Sequence, residues 1–436
     1  MTTDTNPQHS SPRRSLPAAD VVAPRARGIA LPVQLTHGFR ALRVRNYRLY
    51  WFGQLVSLIG TWMQTTAQAW LVLQLARSPF AIGLVTALQF MPFLLLSLVG
   101  GVIADRVSRH RLIIGTQTAA MVLAAIFGVL VGSGAIQLWH VYVLAVLQGV
   151  INAIDTPARQ AFSVQLVGHE DLVNAIGLNS MLFNGARVLG PALAGLLIGQ
   201  IGIAPVLYLN AASFLAVIAG LLLMDPSAFR ATAAPAHGRM MQRLREGLSY
   251  SWHTPRVLLI LLLVAAIGTF GFNFNAMLPL IAGFVLHTDA AGFGMLTSAL
   301  GVGSLVAAIN TAYARRITLR RLLLASGGFS LVLAALALSP VFLLSAVLLA
   351  ALGFAGITFA TTANSLVQLT VPDELRGRVM SLYMLLFAGS TPIGGLLIGA
   401  VSSALGVPAA LLLCAALCLL GVAGALIYQR AMAVAL

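Results

Sequence analysis

Charge is what this chain of 436 residues has least of: aspartate, glutamate, lysine and arginine make up 8% of it, against about 25% in an ordinary soluble domain. With 59% hydrophobic residues and a mean hydropathy of +0.93, that scarcity excludes a water-soluble globular protein. Lysine is absent altogether, all 26 basic residues being arginine, and nothing in the physical chemistry of the chain explains it. There are only two cysteines, Cys414 and Cys418. They lie four apart on one helical face and read as small packing residues, which excludes a disulfide framework or a cysteine metal site. No histidine lies deep in an apolar run, which disfavours a histidine proton relay. The chain also lacks a His/Glu metal cluster, a Gly-x-Ser-x-Gly elbow and a Walker loop. It is therefore not expected to be an enzyme, to hold a cofactor or metal, or to hydrolyse ATP. The net charge of +15 is not that of a nucleic-acid binder, because the arginines sit in short turns and not on a solvated basic face. Their natural partner is the anionic cytoplasmic leaflet of a bilayer.

What the chain does have is apolar length. A bilayer core of about 30 Å takes roughly 20 helical residues to cross, and twelve runs qualify: 47–74, 79–104, 111–132, 137–164, 172–200, 203–224, 255–286, 290–314, 319–338, 340–369, 375–404 and 406–430. The expected fold is an all-α polytopic membrane protein with twelve transmembrane helices in two six-helix bundles. Residues 1–45 read as a disordered cytoplasmic tail and basic collar; Phe39 to Tyr50, with Arg40, Arg43, Arg45 and Arg48 among Phe39, Tyr47 and Tyr50, read as a basic, aromatic collar at the membrane surface leading into the first span. Residues 46–224 form the first bundle, 225–254 a cytoplasmic linker, 255–430 the second bundle and 431–436 a cytoplasmic tail. The linker stretch Met240 to Trp252 reads as an amphipathic surface helix with Arg243, Arg245 and Glu246 outward.

Arginine placement sets the orientation. With the amino terminus inside, 24 of the 26 arginines fall on the cytoplasmic side, Arg77 falls outside and Arg187 within a span. The positive-inside rule then puts both termini in the cytoplasm.

The halves repeat. Gly-Leu-Leu-Ile-Gly occurs at 195–199 and 395–399, each after a proline, Pro191 or Pro392. Upstream lie the related Gln165-Leu166…Glu170-Asp171-Leu172 and Gln368-Leu369…Asp373-Glu374-Leu375. Two parallel repeats imply two bundles about an axis along the membrane normal, with a site between them near the midplane. The turn from Gly100 to Arg111 between spans 2 and 3 is matched by Ala314 to Arg321, which keeps the arginines but has Arg315 where Asp105 would be.

Gly101-x-x-Ala104-Asp105-Arg106-x-x-Arg109-x-Arg111 resembles the loop motif of the major facilitator superfamily, with Ser108 in place of its usual second glycine. The resemblance covers about residues 39–430 and implies a secondary transporter drawing on a proton or ion gradient, monomeric, in the bacterial cytoplasmic (inner) membrane. It also implies that Asp105 docks at the start of span 11, near Arg376 and Arg378, as a gating latch; a carboxylate is favoured at a helix amino terminus. Gly177, Ala186, Gly190-Pro191 and Ala194-Gly195 in span 5 resemble the antiporter motif of drug exporters, with close helix packing as the plain alternative. The arginine many drug/proton antiporters carry in span 4 is missing, Ala145 standing there. Leu42 to Trp51, Gly60 to Trp70 and Asp155-Thr-Pro-Ala-Arg-Gln160 resemble the branch of enterobactin-exporter-like and macrolide-efflux-like proteins. That branch implies export of amphiphilic organic molecules, drug or siderophore, by proton antiport; import of a small organic nutrient is the alternative.

Few residues could carry chemistry in the spans. Arg187, deep in span 5, implies a partner, a wet cavity or an anionic substrate. Asp155 is its nearest carboxylate by topology and has a rival partner in Arg159 one turn on, so Asp155, Arg159 and Arg187 are the coupling candidates. The expected cavity lining is Trp62, Gln64, Thr65 and Gln68 on span 1, Gln89 on span 2, and Asn179 and Asn184 on span 5. Asn273 and Asn275 on span 7, Asn364 on span 10 and Tyr383 on span 11 complete it. Such a chamber suits amphiphiles better than sugars.

Overall fold

The computed structural model describes residues 39–168, 170–230, 240–312 and 317–434, and Phe39 onward forms one compact unit. The expected disordered tail before Phe39 lies outside the described residues. Among those described, every regular element is helical, as a lipid solvent demands: only a helix satisfies its backbone groups within one span. The first bundle comprises α1 (Arg45–Ala76), α2 (Pro79–Arg106), α3 (Arg109–Gly132), α4 (Leu138–Val167), α5 (Leu172–Ile201) and α6 (Ile203–Leu222). A linker helix, α7 (Met240–His253), follows. Span 7 consists of α8 (Pro255–Phe270), α9 (Phe274–Leu280) and a π-helical turn (Ile281–Val285). Then come α10 (Ala290–Ala312), α11 (Leu319–Ala337) and α12 (Phe342–Thr370), span 11 as α13 (Asp373–Phe387) and α14 (Thr391–Leu405), and α15 (Val407–Val434).

Eleven of the twelve expected spans are, among the described residues, long and apolar enough to cross a bilayer. The other, α1, has 32 residues, ample length, but its polar side chains Gln54, Thr61, Gln64, Thr65 and Gln68 take its composition below the rest. The last helix continues to Val434, into the segment expected as a tail.

The repeat is visible in the packing. In the first bundle α1 lies against α5 and α6, α2 against α4, and α3 against α4 and α6; in the second, α8 lies against α13 and α15, α10 against α12, and α11 against α12 and α15. Single glycines turn the chain at equivalent places. Gly202 (φ +85°) separates α5 from α6, and Gly406 (φ +88°) separates α14 from α15. A side chain at so positive a φ is strained, and glycine is not.

The collar divides, Arg40, Arg43, Arg45 and Arg48 being exposed and Tyr47 and Tyr50 buried. Tyr47 is fully buried and its hydroxyl donates to the Ala175 carbonyl (3.0 Å); Trp51 Nε1 donates to the Leu178 carbonyl (3.3 Å). Arg40 pairs with Asp171 at 2.9 Å. These partners lie on α5 or at its amino-terminal cap, Asp171. The linker helix rests on α8 and α13. Arg245 is exposed, but Glu246 turns inward to Arg378 (2.5 Å), correcting its outward assignment; the Arg243 side chain lies outside the described ones.

Candidate functional site

The two bundles meet along two seams that exchange under the repeat, α5 on α10 and α2 on α14. Both are made by glycines. A Cβ on Gly195 would stand 2.6 Å from the Ala290 carbonyl oxygen and 3.0 Å from Gly294 Cα, and one on Gly399 would stand 3.1 Å from Gly83 Cα. The repeated pentapeptide thus places its glycines, Gly195 and Gly395, at equivalent inter-bundle contacts. These contacts lie in the half of the molecule remote from Phe39 and Val434, the first and last described residues; the half that holds those two is here the termini face, and the remote one the far face. Trp70 stacked on Phe293 (5.9 Å), Leu73 against Gly283, and the Phe80 amide donating to Ser403 Oγ (3.0 Å) close the same face.

Toward the termini the bundles part. Gly101, Gly177, Gly185 and Gly377 have nothing within 4 Å of where a Cβ would stand. The buried apolar residues divide accordingly. One cluster joins the far half of the first bundle to the second bundle, and a separate cluster around Tyr47, Ile113 and Phe162 belongs to the first bundle alone. Inter-bundle packing is thus concentrated at the far face, and the bundles diverge from it as a wedge toward the termini face.

Spans 7 and 11 are interrupted at the apex of this wedge, at Gly271–Asn273 and Ala388–Ser390. Irregular backbone at membrane depth persists only where protein buries it or a cavity adjoins it. Phe272 fills the break, 4.7 Å from Phe387 and stacked on Phe329 at 5.5 Å. Arg187 lies beside the break, its guanidinium 5.9 Å from the ring centroids of both Trp62 and Phe274. Among the described residues it makes no ion pair. Of its expected partners, Asp155 is engaged elsewhere: it pairs with Arg159 and accepts from Thr116 Oγ1 (2.5 Å) and Gln117 Nε2 (3.0 Å). Arg159 also donates to Gln54 Oε1. One helical turn separates Asp155 from Arg159, so their pair forms where Asp155 with Arg187 would need full extension. The result is a buried polar cluster on α1, α3 and α4 inside the first bundle.

The remaining expected lining divides. Thr65, Gln68, Gln89 and Asn275 converge, with Thr86, around a cavity of about 30 Å³ under the far seam. Trp62 faces Arg187. Gln64 does not line the chamber: its Oε1 accepts from Asn210 Nδ2 at 2.7 Å, because α1 there faces α6. Asn179 accepts from Tyr47 at 3.2 Å and Asn184 donates to the Ser180 carbonyl at 2.8 Å. Asn273 is buried against Gly394 and donates to the Thr269 carbonyl (2.6 Å). Asn364 accepts from Gln368 (2.6 Å), and Tyr383 donates to the Ala360 carbonyl (3.1 Å) and stacks on Phe387 (5.8 Å). Sequence alone does not mark Phe272, Phe274 and Phe387; Gly271 and Gly389 at the breaks are their signal.

Of the antiporter-like motif, Gly190 packs on Trp62 (2.5 Å from a Cβ position to Trp62 Cβ), while Pro191 and Gly195 form the seam. Gly177, expected as a packing position, is exposed and has nothing within 4 Å of where a Cβ would stand. In the gating turn, Arg106 ends α2 and is exposed, Arg109 opens α3 and Arg111 is exposed. The Asp105 side chain lies outside the described ones. Arg376 pairs with Asp373 and donates to the Gln368 carbonyl (3.1 Å), and Arg378 pairs with Glu246.

A family model described as Transmembrane secretion effector matches residues 36–434. The Staphyloferrin A transporter of Staphylococcus aureus is 27% identical over 55% of this chain and 59% of its own length, so this chain spans little more than half of that relative. The multidrug efflux pump Tap of Mycolicibacterium fortuitum is 28% identical over 83% of this chain and 90% of its own. Among solved structures, a bacterial homolog of the human lysosomal transporter Spinster, inward-facing and unoccupied, has a TM-score of 0.70 at 13% identity, covering 90% of this chain and 97% of that one. At that identity the likeness is one of fold.

Proposed function

Because the chain belongs to the transmembrane secretion effector family of major facilitator superfamily transporters, we propose that it exports amphiphilic organic small molecules by alternating access, in antiport with protons. The termini face is then cytoplasmic, as the arginine placement favours, and the wedge is the inward-open state that receives substrate from the cytoplasm of a bacterium. The observation that carries the reading is Arg187 at the apex of the wedge, between the rings of Trp62 and Phe274 and without an ion pair among the described residues. A guanidinium so placed is stabilised by an anionic group on an otherwise apolar ligand, held over two aromatic faces. The efflux pump and siderophore transporter among the relatives support the export direction and the substrate class.

Asp155 is the coupling group of this reading. Protonation would remove the charge paired with Arg159 and weaken the bonds that Thr116 and Gln117 donate, loosening α4 from α3. Cells expressing the chain or lacking it, exposed to a panel of siderophores, antibiotics and dyes with and without a protonophore, test the proposal. Energy-dependent exclusion of at least one anionic amphiphile is expected. Energy-dependent accumulation of a nutrient would favour the importer instead.

A further inference from the structure

The wedge and the buried ion pair leave one large cavity without a role. It is a groove of about 740 Å³ between α11 and α12, on the second bundle, within the range of roughly 300–1,000 Å³ usual for ligand sites. Its rim at the termini face carries Thr318, Arg320 and Arg321. Below the rim the walls are apolar and small: Leu324, Ala325, Gly328 and Val332 on one side, Ala351, Phe354 and Ala355 on the other. Arg320 is exposed, and Arg321 is held over the groove by donating to Thr311 Oγ1 at 3.3 Å. From Arg321 to Val332 the helix rises about 17 Å at 1.5 Å per residue. That is close to the roughly 15 Å depth of one leaflet's hydrocarbon, half of the ~30 Å core.

The groove has a polar side near its rim as well. Thr358 is 7% exposed and lines it, yet its hydroxyl has no hydrogen-bond partner among the described residues. Thr361 beside it bonds the Ile357 carbonyl in the ordinary way. The repeat explains why the groove exists. The register that lays Gln165-Leu166 on Gln368-Leu369 lays Asp155 on Thr358 and Arg159 on Thr362, whose hydroxyl is also unpartnered. In the first bundle the space between α3 and α4 is filled by Gln117 and Thr116 reaching Asp155. In the second, Ser326, Gly327 and Gly328 occupy the corresponding turn of α11, and a Cβ on either glycine would meet nothing within 4 Å among the described residues.

We propose that this groove is a binding site for an anionic phospholipid of the leaflet at the termini face, its headgroup phosphate on Arg320 and Arg321 and one acyl chain lying between α11 and α12, past Thr358 and as far as Val332 and Ala351. Charge complementarity selects the class. Two guanidinium groups at headgroup level above an apolar slot one leaflet deep match a phosphodiester with a chain attached, and each such arginine is worth about fivefold in affinity for an anionic lipid. A zwitterionic lipid gains little from the rim, and a free phosphate gains nothing from the slot.

The test is native mass spectrometry of the full-length protein released from nanodiscs containing phosphatidylglycerol and phosphatidylcholine in equal parts, counting retained lipids of each kind. Wild type is expected to retain one phosphatidylglycerol in preference to phosphatidylcholine. The double variant Arg320→Gln, Arg321→Gln should lose that preference by about twenty-five-fold, two arginines' worth. Gly328→Leu keeps both arginines, its Cβ would meet nothing within 4 Å, and the rest of its side chain would enter the groove that Gly328 lines. It also improves helix propensity, so it tests the slot without endangering the fold. It should lower retention about fourfold for each methylene displaced. Glycerophosphate at the same concentration should not compete; if it competes as well as the lipid does, the site takes a phosphate only and the proposal fails. Equal retention in wild type and both variants would overturn it as well. Binding is read without transport, so the result stands whether or not the chain is an exporter.

Discussion

Replacing Gly195 with alanine should open the far face. A Cβ there would stand 2.6 Å from the Ala290 carbonyl oxygen and 3.0 Å from Gly294 Cα, so α5 and α10 must separate by a few tenths of an ångström. Overpacking of this kind costs about 1–3 kcal/mol. The contact exists only when the far face is closed, so the cost falls on that state alone, and the balance shifts toward the far-open state by about 5- to 150-fold. The assay is labelling from the far side by a membrane-impermeant maleimide at Ala69→Cys, in a background with Cys414 and Cys418 replaced by alanine. Ala69 lines the small cavity beneath the seam, which is shielded while the seam is shut. Labelling should rise at least about fivefold in Gly195→Ala. Gly294→Ala, whose Cβ would meet the Pro191 carbonyl oxygen at 2.5 Å, should behave alike, and Gly177→Ala, in open space, should change nothing. Labelling of the seam variants at the wild-type rate, in protein that remains folded, would refute the seam as the closed gate.

Other outcomes follow from the same geometry. Asp155→Asn strands Arg159 in the first bundle, and losing one partner of a buried pair costs about 3–5 kcal/mol. Its thermal unfolding temperature should fall and recover in Asp155→Asn, Arg159→Gln, while the pH dependence of transport stays absent in both. Arg187→Lys loses the planar fit to Trp62 and Phe274, worth about 0.5–2 kcal/mol. The KM for an anionic substrate should rise about 2- to 30-fold, with a neutral substrate unaffected. Glu246→Gln breaks a half-exposed pair with Arg378, worth at most about 1 kcal/mol, so scanning calorimetry should register little change.

How far the sequence reaches is plain from particular residues. Apolar length located the spans because a bilayer imposes its thickness on each of them. The halves could be paired because Gly195 and Gly395 recur at one place in a repeated motif, and the structure sets both at the seams. What sequence could not supply was facing. Gln64 reads as cavity-lining on a polar helix, yet meets Asn210 on α6. Asp155 was given two arginines to choose from, and the choice was decided with help from Thr116 and Gln117 on a helix whose orientation no periodicity reveals. The breaks in spans 7 and 11 escaped notice because Gly271 and Gly389 sit among many glycines in uniformly apolar runs, and only tertiary neighbours such as Phe272 and Phe387 distinguish them.

The most direct test of proton-driven export is dye uptake by everted membrane vesicles carrying the chain, with an imposed pH gradient acid inside. Accumulation of an anionic amphiphilic dye that requires the chain, collapses with a protonophore and is lost in Asp155→Asn is the predicted result. Uptake at the same rate in vesicles without the chain, or uptake indifferent to the gradient, would contradict it.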